Sequence, residues 1–110
     1  MQITKREHGG ALVFVLEGRV DSEGAGELDS VLQDALAAGQ YRLVLDMAGV
    51  SYINSAGLRT LADVLTRSRA NSGDLRLVAL SPRVQRIFAI IGFDRFFDSY
   101  DSVEAALAGW

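Results

Sequence analysis

Apolar residues change their spacing several times along this chain, and each change marks an element. The opening predicts two strands, about Gln2 to Glu7 and Ala11 to Glu17, joined at His8-Gly9-Gly10. The second is almost wholly apolar (Ala11-Leu12-Val13-Phe14-Val15-Leu16), as expected of a strand covered on at least one face. From about Ser22 to Ala38 the spacing turns helical, with Ala25, Leu28, Val31, Leu32, Ala35 and Leu36 forming one stripe. Asp21 or Ser22 can cap this helix and Gly39 can end it, while Gly24 and Gly26 weaken its start enough to predict fraying.

Tyr41 to Asp46 is a short, mostly apolar strand of central character, followed by a loop from Met47 to Tyr52. A second helix is expected from about Ser55 to Ala70, with Leu58, Leu61, Ala62 and Leu65 facing inward and Arg59, Asp63 and Arg67 outward. Leu75 to Leu80 predicts a further strand. Ser81-Pro82 then starts a helix with a serine cap and a proline in the first turn. Val84, Ile87, Phe88 and Ile91 are its expected buried stripe, and Gly92 its end. Phe96-Phe97 suggests an edge strand, and Asp101 with Glu104 a capping box for a last helix.

The predicted fold is therefore α/β over a single domain, residues 1–110. An opening hairpin and then alternating strands and helices build a mixed sheet of four to five strands, with about four helices packed against it.

Composition narrows the function. The chain has 110 residues, the size of one domain, and 49% are hydrophobic and 23% charged, within the globular range. Its net charge of -3 argues against nucleic acid as a partner, since phosphate binding calls for an excess of Lys and Arg. With no Cys there is no disulfide and no thiolate metal site. The start lacks the apolar core of a signal peptide, and no stretch approaches the ~20 apolar residues that span a bilayer. A cytoplasmic protein without direct membrane insertion is expected.

Candidate chemistry is sparse. The one histidine, His8, sits beside a turn, away from any ligand set. No Walker loop is present, and Gly24-Ala25-Gly26 lacks the third glycine of a dinucleotide fingerprint. Ser55 has no evident base, so a serine nucleophile is not indicated. Asp46 ends a central strand, as a receiver-domain phosphoacceptor would, but the acidic pair and later Lys of such a site are missing. It reads instead as a hydrogen-bond acceptor that stabilises the loop. No catalytic residue, metal or cofactor is expected, and the chain is not read as an enzyme.

The informative stretch is Leu43-Val44-Leu45-Asp46-Met47-Ala48-Gly49-Val50-Ser51-Tyr52-Ile53-Asn54-Ser55-Ala56-Gly57-Leu58, a strand leading into a helix whose first turn is small. It resembles the phosphorylatable motif of the anti-sigma factor antagonists, which are STAS-domain proteins. Leu16-Glu17-Gly18-Arg19-Val20-Asp21 is similar to the family's Leu-x-Gly-x-apolar-Asp, and Ser81-Pro82-Arg83-Val84 to its Ser-Pro-x-Val helix start. The resemblance runs from about residue 3 to 108.

It implies a protein that binds an anti-sigma factor serine kinase when unphosphorylated and so releases a sigma factor. Phosphorylation of Ser55 would inactivate it, and a PP2C-type phosphatase would restore it. The implied partner surface is Asp21, Asn54, Ser55, Ala56, Gly57 and Arg59. Asn54 departs from the pattern, where the family has Asp; it keeps the capping geometry and removes a charge. The bland alternatives are that Ser55 is itself the helix cap, that Asp21 only caps, and that Arg59 is a solvated helix residue. A second functional class is an adaptor STAS subunit of a transport or sensory complex, without a serine switch. A monomer or weak dimer is expected.

Overall fold

The computed structural model describes residues 1–110. Its strands are β1 (Gln2–His8), β2 (Ala11–Val20), β3 (Arg42–Ile53), β4 (Asp74–Val78) and β5 (Ser99–Tyr100). Its helices are α1 (Ser22–Ala37), α2 (Ser55–Ala70), α3 (Pro82–Ile91) and α4 (Val103–Leu107), with a 3-10 turn at Phe93–Arg95. The five strands lie in the order β1-β2-β3-β4-β5. β1 pairs antiparallel with β2 through the His8–Ala11 turn, and every other pair is parallel. The predicted mixed sheet with four helices is therefore the observed one.

Alternation along the central strands divides their side chains between two cores. Leu12, Phe14 and Leu16 of β2, Leu43 and Leu45 of β3, and Leu75 and Leu77 of β4 join α1, α2 and α3 in the main core. Val13, Val44 and Val78 point the other way, under Ala106 of α4. Near-continuous apolar runs are what strands covered on both faces require.

Several expectations change. The predicted loop from Met47 to Tyr52 is strand: β3 continues through it to Ile53, paired with Glu17 to Val20 of a longer β2. Two register shifts interrupt that pairing. They place the buried residues Met47, Val50 and Ile53 three apart, which hides the period of two. β4 stops at Val78, and Ala79 turns the chain with φ of 56°.

Phe96-Phe97 is not an edge strand. Phe97 packs edge-on against Phe88 at 5.6 Å between ring centroids, and the edge strand is Ser99–Tyr100. In α3 the buried stripe is Val84 and Phe88, while Ile91 is 46% exposed. Ser81 caps α3, with Pro in its first turn and Gly92 left-handed at its end, as predicted. The last helix is capped by Ser102, which accepts from the Ala105 N–H at 3.1 Å, and not by Asp101.

Candidate functional site

The carboxyl ends of β2 and β3 each run directly into a helix, and the two junctions are built alike. Asp21 Oδ1 accepts the Gly24 N–H at 3.0 Å, and Asn54 Oδ1 accepts the Gly57 N–H at 2.9 Å. Both side chains thus cap orphan amides in a first helical turn. The Asn54 N–H donates to the Val20 carbonyl at 2.9 Å, which ties the two junctions side by side. α1 consequently begins as a capped helix at Ser22, and the expected fraying is not seen.

The glycines explain how closely the helices sit. A Cβ on Gly24 would lie 2.5 Å from the Arg19 carbonyl oxygen, and one on Gly57 2.6 Å from Val20 Cγ1. Neither place admits a side chain without movement. Small residues in the first turn of α2 are therefore a packing requirement as well as a surface feature.

Ser55 is the first residue of α2 and is exposed. The capping bond belongs to Asn54, so the reading of Ser55 as the cap is overturned. Asparagine supplies the acceptor oxygen that the aspartate of the family pattern would, without its charge. Ala56 is half-buried and Gly57 buried behind Ser55, while Arg59 is exposed one turn along. Asp21 is exposed, and its carboxyl is held below the usual carboxylate range by the Gly24 N–H, with the nearby Arg19 guanidinium adding to the effect. Capping is therefore an observed role of Asp21.

Beside the serine lies a feature absent from the sequence-derived site. Arg19 and Tyr52 are register partners on β2 and β3, and the Arg19 guanidinium stands 4.6 Å from the centre of the Tyr52 ring. Arg83, from the start of α3, stands 5.7 Å from the same ring. Two cations thus converge on one aromatic residue, three positions before Ser55. Their convergence depends on the bulged β2–β3 pairing and on α3 reaching back over β3, and no local pattern encodes either.

Asp46 accepts the Ala48 N–H at 3.2 Å and steadies the bulged segment, the structural role expected of it. His8 is exposed at the end of β1. No group of three or more His, Asp or Glu side chains converges as a metal site would require. No helix is long and apolar enough to cross a membrane.

These features define a small α/β domain in which two capped helix mouths share a rim, each with an exposed serine, Ser22 and Ser55, as its first helical residue. The STAS domain family model matches residues 2–106. BtrV of Bordetella bronchiseptica, a candidate anti-sigma factor antagonist, is 37% identical over 110 residues, covering 100% of this chain and 95% of BtrV. The anti-sigma-F factor antagonist RsfB of Mycobacterium tuberculosis is 26% identical over 107 residues, covering 97% of this chain and 87% of RsfB. The anti-sigma factor antagonist SpoIIAA in its unphosphorylated form has a TM-score of 0.80 at 18% identity, over 94% of this chain and 92% of that one. SpoIIAA of Bacillus in its phosphorylated form has a TM-score of 0.74 at 17% identity, over 94% and 96%. The SpoIIAA likeness concerns the fold. The chain belongs to the STAS domain family, among its anti-sigma factor antagonists.

Proposed function

We propose that the protein binds an anti-sigma factor serine kinase through the two helix mouths and so releases a sigma factor. Phosphorylation of Ser55 ends the binding, and a PP2C-type phosphatase restores it. Asp21, Asn54, Ser55, Ala56, Gly57 and Arg59 form the contact surface, with Arg19, Tyr52 and Arg83 as its cationic edge. In this reading the protein is not an enzyme, works in the cytoplasm, and is a monomer or weak dimer.

The observation that carries this reading is that Ser55 is exposed in a first helical turn whose capping bond is already made by Asn54. Its hydroxyl is free of that structural duty. A phosphate there adds about -1.5 to -2 charges at neutral pH. At a helix N-terminus this charge is favoured by roughly 0.3–1 kcal/mol, so the helix tolerates it and the effect falls on the partner. A loss of only ~2.8 kcal/mol in binding lowers affinity about a hundredfold.

The test is to recover the protein from native lysate and to read its partners and the state of Ser55 by mass spectrometry. A serine kinase together with partial phosphate on Ser55 supports the switch. A transporter or scaffold partner with Ser55 wholly unmodified contradicts it, and places the chain among the non-switching adaptors.

A further inference from the structure

The two cations at Tyr52 are not neutralised inside the chain. Arg67, Arg69 and Arg76 each meet a carboxylate, at 3.6, 2.9 and 3.4 Å. Arg19 and Arg83 are exposed and form no such ion pair, although the charge of Arg19 is felt at Asp21. An unpaired guanidinium keeps its planar fork free, and that fork fits a carboxylate with two parallel hydrogen bonds. Here two forks, from β2 and from α3, meet at one aromatic ring. Like charges held so close repel one another, and an anion arriving from outside relieves the repulsion.

The outward face of α3 continues this edge. Val84 and Phe88 turn into the core, while Arg83, Arg86 and Ile90, spaced i, i+3 and i+7, share the other side and are exposed. Residues 82–91 contain no carboxylate, and Arg86 has no ion pair either. This face is thus basic in a chain whose net charge is -3. It turns apolar about 10 Å along the helix axis, at Ile90, which is 76% exposed. The chain's exposed large apolar side chains, Ile90, Ile91 and Phe96, all fall at that far end.

We propose that this face of α3 docks an acidic segment of the anti-sigma factor partner, its carboxylates meeting Arg19, Arg83 and Arg86 and an apolar side chain covering Ile90. The proposal rests on the partner-binding reading above and names the chemistry that meets its cationic edge. A protein segment fits better than a lipid surface. The apolar stripe of α3 is already buried in the core, so the outward face lacks the broad apolar side that lies in a membrane interface. The docking face starts at Tyr52, three residues before Ser55, and runs away from it along α3. A Ser55 phosphate has the same sign as the docked segment and so repels it from the edge where it binds.

The test uses the serine kinase recovered with the wild-type chain, purified and titrated against variants. Arg83→Glu places an acid in the first turn of α3, which the helix dipole favours, so it is expected to melt at or above the wild-type temperature. It should bind the kinase at least about tenfold more weakly at low salt, with the difference shrinking as salt is raised. Ile90→Gln should bind about fivefold more weakly or worse, with the salt dependence of wild type. A folded Arg83→Glu that binds as wild type overturns the proposal, as does a loss that salt leaves unchanged or an Ile90→Gln of undiminished affinity. Binding of the wild-type chain to phosphatidylserine vesicles, lost in Arg83→Glu, would assign the face to a membrane and overturn it too. If Arg83→Glu binds as wild type while Ser55 phosphorylation still ends binding, only the α3 contact falls. A wild-type chain that binds no kinase overturns the partner reading itself.

Discussion

Asp21 and Asn54 make the same bond at neighbouring helix starts, each accepting the N–H of a glycine three residues on, at 3.0 and 2.9 Å. The Asn54 amide is fastened to Val20, the residue before Asp21, so the two caps form one unit. Ser55 stands at the edge of that unit without serving it. This separation of duties allows a serine in a first helical turn to be modified while the helix stays in place.

Stability should divide accordingly between adjacent residues. Asn54→Ala removes a capping acceptor and is expected to cost ~1 kcal/mol, within the range of about 0.5–2 for such losses. Ser55→Ala should stay within about 0.5 kcal/mol, as surface substitutions do. Urea unfolding of the two variants checks this. A Ser55→Ala loss as large as that of Asn54→Ala would mean that the serine is structural after all.

Gly57→Ala is expected to destabilise by about 1–3 kcal/mol, the usual cost of overpacking. Its Cβ would fall 2.6 Å from Val20 Cγ1 and 2.9 Å from Ile53 Cγ1, both within the tightly packed junction. Gly26→Ala should instead stabilise by ~0.5–1 kcal/mol, because it gains helix propensity in open space. Thermal melts of both proteins test the contrast, and equal shifts would contradict it.

The Asp21 carboxyl is held below its ordinary value in the folded protein, first by the Gly24 N–H. A depressed folded value means that the carboxylate contributes stability fully at pH well above ~3.9, its ordinary value. That contribution is lost as pH falls through the lower folded value. Asp21→Asn keeps a capping oxygen and should flatten this part of the acid profile while changing stability little at neutral pH. Urea midpoints followed from pH 7 to pH 2.5 would show it. Parallel acid profiles for the two proteins would contradict the assignment.

Besides its packing through Ala106, the C-terminal helix is tied to β4 by one side chain. Arg76 donates to the Ala106 carbonyl at 2.7 Å and to the Ala108 carbonyl at 3.3 Å, and its guanidinium lies 3.8 Å from the centre of the Trp110 ring. Arg76→Ala should loosen α4 and cost about 1.5–3 kcal/mol, as hydrogen bonds to charged groups do. Trp110 is the only tryptophan, so its emission should shift to the red before the rest of the protein unfolds. An unshifted spectrum would mean that α4 is held by packing alone.

Helices and their ends were the most legible part of the fold. Ser81-Pro82 and Gly92 predict α3 to the residue, because capping chemistry is local. The second half of β3 was hidden, since its buried residues follow a bulged register that only pairing with β2 creates. Phe97 read as strand because a β-propensity pattern cannot reveal that the ring packs on Phe88. At the site, Ser55 and both caps were visible in short motifs. The Arg19–Tyr52–Arg83 cluster joins residues far apart in sequence, and periodicity carries no information about it.

Ser55 phosphorylation, and not loss of the fold, is proposed to end partner binding. The direct measurement is the affinity of the recovered serine kinase for the chain with Ser55 unmodified and with Ser55 phosphorylated, alongside melting curves of both forms. Melting temperatures are expected to nearly coincide and affinities to lie at least a hundredfold apart, the unmodified form binding more tightly. Equal affinities, or a phosphorylated form that binds weakly only because it has unfolded, would contradict it.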